Sequence, residues 1–341
     1  MNKFKSGLVL MATLILVACG GNNDVPGKPQ FTAQVSFGDS LSDVGSYRLA
    51  AIGSTPTNYV GQFTINAAPG TPTNWTEFTS LSLGLGLPCA ALTGGFGVAQ
   101  TPHAGCLGYG EGGAQVSGTG YGNTGPGGPM TLPVLTQITN YLASAVGNKF
   151  TGNEIVYVMA GANDVFVQAG TVVDGPTQLA AVAAMKTAAN QLAAAVNTQI
   201  LANGAKYVVI MNIPDIARTP AATSPSVAGL FDLLTTTFNT QLKADLPDSA
   251  NVLNVDAYTA SKDEVVNPGK YNLTNVTVTA CNLASPYNPL GSSLGCNANS
   301  LSGPLATVDH YLFADTVHPT PYGHLLFATY VLQAMTNKGW Y

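Results

Sequence analysis

Four nearly continuous apolar runs constrain the fold of this chain more than any other feature. They cover residues 31–37, 153–161, 205–214 and 250–258, and each is rich in Val, Ile, Tyr and Phe. Runs that are apolar at consecutive positions suit β-strands covered on both faces, which is typical of parallel sheets. The runs therefore predict a parallel sheet buried between other elements.

Helical patterns lie between and after these runs. Between the second and third, apolar residues recur at steps of three or four and Gly204 follows them; they are Leu179, Val182, Met185, Ala189, Leu192, Val196 and Ile200. This spacing predicts a helix that ends at the glycine. Further helices are predicted over roughly 227–246 and from 320 to about 335. The alternation of strands and helices predicts an α/β domain with right-handed crossovers.

The N-terminus has the composition of an export signal. Lys3 and Lys5 precede an apolar run over residues 8–17, which is too short to span a membrane as a helix. The letters LVAC at the end of this run, residues 16–19, resemble a bacterial lipoprotein signal, in which residues 1–18 are removed and Cys19 carries lipid. An ordinary signal peptide cut nearby is the alternative. We therefore expect an exported cell-envelope protein, anchored to the membrane through Cys19, with residues 19–30 as a flexible tether.

The charge balance argues against nucleic acid as a partner. The chain has 12 basic and 17 acidic residues, and Arg48 and Arg218 are its only arginines. Recognition of a phosphate backbone depends on clustered basic residues, which this sequence lacks.

Apart from Cys19, the cysteines form an even set: Cys89, Cys106, Cys281 and Cys296. In an exported protein such a set predicts disulfides, and four cysteines allow three pairings. The pairs Cys89–Cys106 and Cys281–Cys296 are preferred, because each brackets a Gly-, Pro- or Ser-rich loop. A zinc site is the alternative, but CxxC spacing is absent and only His103 lies nearby. We expect no metal.

Two long loops interrupt the pattern of strands and helices. Residues 84–130 are crowded with glycine, and residues 281–304 are rich in Ser, Asn and Pro. Long loops in compact domains often form the walls of functional sites. The sequence predicts one domain over residues 31–341 that carries these two loops.

Polar residues follow the predicted strands where parallel sheets bind ligands, beyond their carboxyl ends. Ser40 lies in SFGDSLSDVG after the first run, Asn163 in GAND after the second, and Asp315 and His318 in DTVHPT near the C-terminus. A serine hydroxyl needs a base to become a nucleophile, and an imidazole needs a partner that holds its tautomer. These four residues contain the parts of an acyl-transfer site, with the Asn163 amide as a donor to an oxyanion.

The three motifs, in this order, resemble those of the GDSL or SGNH hydrolase family over nearly the whole mature chain. The resemblance implies a three-layer α/β/α, flavodoxin-like fold and no cofactor. It makes Ser40 the nucleophile, His318 the base and Asp315 its orienting acid. The backbone N–H of Ser40, a glycine N–H and Asn163 would bind the oxyanion. The family's glycine motif matches GYGEGGA loosely, which points to Gly113, with Gly112 one position away.

The expected function is serine-dependent hydrolysis of carboxylic esters, with a small molecule or a lipid as substrate. A carbohydrate deacetylase, a lysophospholipase or a thioesterase would use the same residues, because loops rather than the fold select the substrate. A surface lipoprotein that binds its partners without turnover is a third interpretation.

Several other side chains are ambiguous from the sequence. The remaining histidines are expected to have surface or supporting roles; they are His103, His310 and His324. Six aromatic residues near the motifs or loops could line an apolar acyl pocket, although each is individually more typical of a core. They are Phe37, Phe96, Tyr109, Tyr121, Phe166 and Tyr287.

Overall fold

The structure is a computed structural model that describes residues 27–341 apart from residues 56, 124 and 126. The predicted signal over residues 1–18, Cys19 and most of the predicted tether lie outside these described residues. Six strands are present within them: β1 (Ala33–Gly38), β2 (Leu92–Gly95), β3 (Val98–Pro102), β4 (Glu154–Met159), β5 (Tyr207–Met211) and β6 (Val252–Val255).

The four apolar runs form one parallel sheet in the order β1-β4-β5-β6, as the sequence predicts. On its other side β1 is flanked by residues 107–109: Ser36 N–H donates to Leu107 O, and Tyr109 N–H donates to Ser36 O. This short parallel pairing takes the position of a further strand beside β1. The resulting order is that of a flavodoxin-like sheet.

Helices cover both faces of the sheet. In the described residues they are α1 (Trp75–Ser82), α2 (Val134–Ser144), α3 (Ala162–Ala169), α4 (Gly175–Ala195), α5 (Pro225–Asp245), α6 (Ala257–Val266), α7 (Leu305–Val308) and α8 (Pro321–Lys338). Successive strand side chains point to opposite faces. Val156 and Val158 of β4 belong to the core shared with α2, α4 and α5, whereas Ile155 and Tyr157 belong to the core shared with α1 and α8. The predicted three-layer α/β/α arrangement is therefore confirmed.

Local sequence signals mark where the long helices begin. The Asp174 side chain accepts a hydrogen bond from Thr177 N–H at the start of α4, and Ser224 and Thr320 cap α5 and α8 in the same way. A proline at N1 or N2 follows each cap, where the missing N–H costs nothing. The three helices predicted from the spacing of apolar residues lie within a few residues of their predicted positions.

One residue of the predicted stripe is exposed to solvent. Leu179 is 71 % exposed, whereas Met185 is fully buried. Six residues are about 600° of helix, so Leu179 lies about 120° from Met185 around the axis. Helix α4 continues as a π-helical segment over Val196–Leu201. By length and hydropathy, the combined helix Gly175–Leu201 is one in the described residues that could cross a membrane, but its buried side chains pack in the core beneath the sheet.

Both preferred disulfides are present, Cys89–Cys106 and Cys281–Cys296. The prediction of an irregular loop over residues 84–130 was incomplete, because β2 and β3 form an antiparallel hairpin within it. Every residue of β3 is exposed, so the strand lacks the alternation of apolar and polar residues that reveals a half-buried strand.

Candidate active site

Ser40 begins a turn of 3-10 helix, Ser40–Ser42, directly after β1. The Asp39 side chain caps this turn by accepting a hydrogen bond from Leu41 N–H at 3.0 Å. A Cβ on Gly38 would lie 2.6 Å from the Met159 carbonyl oxygen, so β1 can approach the end of β4 this closely only with glycine there. Ser40 therefore lies at the carboxyl edge of the sheet, and this residue is 8 % exposed.

Three of the predicted site residues are joined by hydrogen bonds. His318 Nε2 lies 2.8 Å from Ser40 Oγ, and His318 Nδ1 lies 2.9 and 2.8 Å from the two carboxylate oxygens of Asp315. The carboxylate accepts only from an Nδ1–H, so this network assigns the proton to Nδ1. Nε2 is then free to accept the Ser40 hydroxyl proton.

Asp315 is held by the turn that carries it and by a distant loop. Its Oδ1 accepts hydrogen bonds from the backbone N–H groups of Val317 and His318, and its Oδ2 accepts one from Ser293 N–H at 2.8 Å. Burial on its own would raise the pKa of Asp315, but the His318 imidazole and the hydrogen bonds outweigh it and hold that pKa below its ordinary value. The group is therefore a carboxylate at neutral pH.

Ser40, Gly112, Gly113 and Asn163 line one cavity, and the structure distinguishes the two candidate glycines. Gly112 N–H donates to Asp43 Oδ2 at 3.0 Å. Within the described residues, Ser40 N–H and Gly113 N–H have no acceptor. Asn163 Nδ2 donates to Ala114 O at 2.9 Å, which leaves its second hydrogen for another acceptor. The free donors are thus those of Ser40, Gly113 and Asn163.

Different neighbouring groups leave no room for a side chain at Gly112 and at Gly113. A Cβ on Gly112 would lie 2.1 Å from the Phe63 ring, and this ring also packs on His318 at a centroid distance of 4.9 Å. Gly113 has φ +81° and a Cβ there would lie 2.5 Å from Tyr121 O. Phe63 has no motif around it, so the sequence analysis did not find it.

Two acids of the motifs hold loops in place. Asp43 accepts hydrogen bonds from the N–H groups of Gly45, Ser46 and Gly112, and Asp164 accepts one from Val116 N–H. These bonds tie the segments around Ser40 and Asn163 to the glycine-rich segment over residues 111–116. Loss of either acid would therefore be expected to displace the segments that carry the N–H groups of Ser40 and Gly113.

Glu111, two residues before Gly113, is a buried acid that the sequence analysis did not single out. It is 2 % exposed, and its carboxyl group accepts a hydrogen bond from Leu132 N–H. Burial raises the pKa of Glu111 from 4.5 to about 8, and the nearby Asp43 adds to this effect. The folded protein thus favours the protonated carboxyl group.

We expect the Glu111→Gln variant to remove part of the pH dependence of stability. Because the pKa of Glu111 is raised in the folded protein, the contribution of Glu111 to the free energy of unfolding is fully present below about pH 4.5. This contribution is lost as pH rises through about 8. The variant should match the wild type at pH 5 and be more stable at pH 9 by an amount on the order of a few kcal/mol. Urea unfolding at both pH values measures this; a difference that does not change with pH would contradict it.

A cavity of about 340 Å³ opens beside Ser40 and His318, which both line it. Its lining can be divided by burial. The half-buried or exposed side chains define what we call the outer arm: Phe63, Phe96, Tyr121, Pro129 and Phe166. The mainly buried side chains define what we call the inner arm: Trp75, Met159, Ala257, Glu264, Leu312 and Phe327. Three of the six aromatic residues from the sequence analysis, Phe96, Tyr121 and Phe166, thus face the cavity.

The other three aromatic residues do not line the cavity. Of the three remaining histidines, His324 lines it and the other two do not. Phe37 and Tyr109 belong to the core on the α2 side of the sheet, and Tyr287 is 67 % exposed. His103 is exposed beside Thr93, and His310 stacks on Tyr322 at 4.1 Å. His324 is buried at the cavity wall, where burial lowers its pKa to about 3 and keeps the ring neutral.

A family model matches most of this chain. Residues 35–331 match the family model described as GDSL-like Lipase/Acylhydrolase. The chain is 27 % identical over 215 residues to an uncharacterized protein from the trpE-trpG intergenic region of Pseudomonas putida, covering 62 % of this chain and 33 % of that protein. It is 30 % identical over 139 residues to Esterase EstA of Pseudomonas aeruginosa, covering 39 % of this chain and 20 % of the esterase. The chain thus spans a third or less of the length of these relatives.

Two solved structures align with most of this chain. A lipolytic protein of the G-D-S-L family from Veillonella parvula aligns with 89 % of this chain and 98 % of its own, with a TM-score of 0.41 and 17 % identity. The acetylxylan esterase Axe2 of Geobacillus stearothermophilus aligns with 91 % of this chain and 96 % of its own, with a TM-score of 0.42 and 15 % identity. On the family match over residues 35–331, this chain belongs to the GDSL-like lipase/acylhydrolase family.

Proposed function

We propose that the protein hydrolyses carboxylic esters through an acyl-enzyme formed on Ser40. The observation that carries this proposal is the hydrogen-bonded series Ser40, His318 and Asp315 at a cavity where the N–H groups of Ser40 and Gly113 have no acceptor among the described residues. An activated hydroxyl beside unpaired donors is the arrangement that acyl transfer requires.

In the first half-reaction, Ser40 Oγ forms a bond to the ester carbonyl carbon, and its proton passes to His318 Nε2. The negative charge that develops on the carbonyl oxygen is stabilised by Ser40 N–H, Gly113 N–H and the Asn163 amide. The bond to the alcohol oxygen then breaks, and His318 returns the proton to that oxygen. The alcohol leaves, and the acyl group stays on Ser40.

In the second half-reaction, a water molecule forms a bond to the acyl carbon while its proton passes to His318. The same donors stabilise the oxyanion, and the bond to Ser40 Oγ breaks as His318 returns the proton to it. A carboxylic acid is released and Ser40 is restored. Asp315 holds the Nδ1–H tautomer and stabilises the imidazolium that forms in each half. No cofactor takes part in this proposed route.

Labelling with a fluorophosphonate probe tests the proposal. The probe phosphonylates activated serines, so an adduct located by mass spectrometry on Ser40, and absent from the Ser40→Ala variant, would support it. A folded protein that is not labelled would contradict it and favour the interpretation as a binding lipoprotein. A panel of acetylated sugars, lysolipids, thioesters and simple acyl esters then separates esterase from deacetylase, lysophospholipase and thioesterase activity.

We also propose that the protein is exported and that residues 31–341 form its catalytic domain. The two disulfides support export, because such bonds persist in oxidising compartments. In this proposal residues 1–18 are removed and Cys19 carries the lipid. Mass spectrometry of the mature N-terminus tests this: an acylated Cys19 would support anchoring, and an unmodified N-terminus would contradict it.

Asn163→Ala is expected to lower kcat by about 10²- to 10³-fold with little change in KM, because it removes one donor that acts mainly on the oxyanion. Steady-state kinetics on a short acyl ester measure this. Asn153→Ala, which changes an exposed asparagine, is the control. An effect of Asn163→Ala below about threefold would exclude the amide as an oxyanion donor.

The Cys281–Cys296 disulfide is expected to support Asp315. It closes the loop that presents Ser293 N–H, and Asn66 Nδ2 also donates to the Ser293 and Cys296 carbonyl oxygens. Replacing both cysteines by serine should cost about 3 kcal/mol of stability. It should also lower kcat about tenfold, because the hydrogen bond from Ser293 N–H to the Asp315 carboxylate is weakened.

The Cys89–Cys106 pair provides a matched control for this variant. It closes a loop of similar length, with a separation of 17 residues against 15, and neither cysteine bonds to Asp315. Its removal should destabilise the protein to a similar extent with a smaller loss of kcat. Equal losses of kcat at a temperature where both variants are folded would refute a specific role for the Ser293 loop.

A further inference from the structure

The inner arm of the cavity has no part in the proposed hydrolysis steps. Its walls come from four separate elements: Trp75 from α1, Met159 from the end of β4, Ala257 and Glu264 from α6, and Phe327 from α8. Trp75, Met159 and Ala257 are each at most 2 % exposed. An apolar space of this kind, continuous with the nucleophile, suits a flexible apolar part of a substrate.

The order of the two half-reactions indicates that the acyl part of the ester, rather than its alcohol part, occupies the inner arm. The alcohol must leave while the acyl group still occupies Ser40, and water must then reach the acyl carbon. An alcohol lying in the inner arm would have buried walls around it and the acyl-enzyme in front of it. An acyl chain in the inner arm leaves the outer arm open for alcohol release and water entry.

The sheet geometry sets the length of the chain that this arm accommodates. Ser40 follows β1, and α6 follows β6, three strands away in the order β1-β4-β5-β6. Neighbouring strands lie about 4.8 Å apart, so these ends are separated by about 14 Å, which an acyl chain of roughly ten carbons spans. Ala257, Ser261 and Glu264 recur at helical spacing on α6 and line the cavity there.

Glu264 makes this end of the cavity polar. It is 7 % exposed, lines the cavity and has no hydrogen-bond partner among the described residues. The neighbouring Ser261 hydroxyl is already engaged, since it accepts from Asp215 N–H at 2.8 Å and donates to Tyr258 O. The methyl end of a plain acyl chain would leave the Glu264 carboxyl group unpaired, whereas a hydroxyl group would pair with it.

We propose, on the basis of the proposed esterase function, that the inner arm binds a medium-length acyl chain and that Glu264 binds a hydroxyl group near the far end of that chain. The substrate class is therefore an ester of a hydroxylated fatty acid. Burial, with a smaller contribution from Asp263, raises the pKa of Glu264 to about 8. At neutral pH its carboxyl group is thus mainly protonated, and it donates one hydrogen bond to a hydroxyl oxygen and accepts another.

The test uses pairs of p-nitrophenyl esters of equal chain length, with and without a terminal hydroxyl group, and an acetate ester as reference. The readout is the ratio of kcat/KM for the hydroxyacyl ester to that for the plain ester, in which a general loss of activity cancels. We expect the wild type to prefer the hydroxyacyl ester by about tenfold at its best chain length, since a site built to bond a hydroxyl group rejects the analogue that lacks it.

Two substitutions at Glu264 separate the hydrogen bond from packing. Glu264→Leu keeps the approximate volume without polar atoms and should reverse the preference, so that the plain ester becomes the better substrate. Glu264→Gln keeps a donor and an acceptor and should retain most of the preference. Val266→Ala, an exposed position on the same helix, is the control and should leave the ratio unchanged.

Equal kcat/KM for both members of each pair in the wild type would overturn the proposal. An unchanged ratio in Glu264→Leu, with folding checked by its melting temperature, would overturn it as well. Failure of the proposed function gives a different result: none of the esters, including acetate, is hydrolysed, and the fluorophosphonate does not label Ser40.

Discussion

Ser40→Ala is expected to lower kcat for ester hydrolysis by about 10⁵-fold or more while the protein stays folded. In the proposed mechanism the substitution removes the oxygen that bonds to the carbonyl carbon, and the remaining donors of Gly113 and Asn163 would give only residual catalysis. The side chain is small and lies at the cavity surface, so its loss leaves no large void. Burst-phase and steady-state measurements with an activated ester, beside a thermal melt, measure both effects.

Ser42→Ala provides the matched control for this experiment. Ser42 lies in the same 3-10 turn, is 1 % exposed, and its hydroxyl has no hydrogen-bond partner among the described residues. Its loss should change kcat by less than threefold, because it touches none of the reacting atoms in the proposed mechanism. Ester hydrolysis that persists in Ser40→Ala, or that falls equally in both variants, would remove Ser40 from the role of nucleophile.

Asp315→Asn is expected to lower kcat by about 10⁴-fold with little change in structure. The asparagine keeps the shape of the side chain, but its amide group can donate to His318 Nδ1. The ring proton then moves to Nε2, and the imidazole no longer accepts the proton of Ser40 Oγ at 2.8 Å. The rate should recover in part at high pH, where hydroxide replaces the base.

The exposed Asp309→Asn substitution, six residues earlier in the chain, controls for general effects of removing a carboxylate. A pH series of kcat/KM separates the tautomer explanation from misfolding, because a misfolded variant stays inactive at every pH. A decrease of less than tenfold for Asp315→Asn would show that the orientation of His318 does not depend on this carboxylate.

The local sequence was sufficient to predict the sheet and the residues of the three motifs. Burial on both faces requires apolar residues at consecutive positions, so the four strands are visible as continuous runs. The hairpin of β2 and β3 was missed because β3 is exposed and the two short strands contain Gly, Thr, Gln and Pro, residues equally typical of a loop.

The glycine motif illustrates how a tertiary contact resolves a sequence ambiguity. Gly112 and Gly113 are adjacent and identical in type, so the local pattern treats them alike. Asp43, about 70 residues earlier in the chain, accepts the Gly112 N–H and leaves that of Gly113 free. A hydrogen bond between segments so far apart has no periodic signature in the sequence.

The sequence by itself determined the parallel sheet and three of the long helices, and it proposed Ser40, Asp315 and His318 as candidate site residues, because short-range patterns of apolar residues and motifs encode them. Only the tertiary structure decided which backbone N–H groups remain free, that Ser293 supports Asp315, and that Trp75, Glu264 and Phe327 share one cavity with Ser40. These features depend on side chains from distant segments meeting in space. The burial of a side chain and the absence of a hydrogen-bond partner both depend on contacts between these segments, so no single segment encodes them.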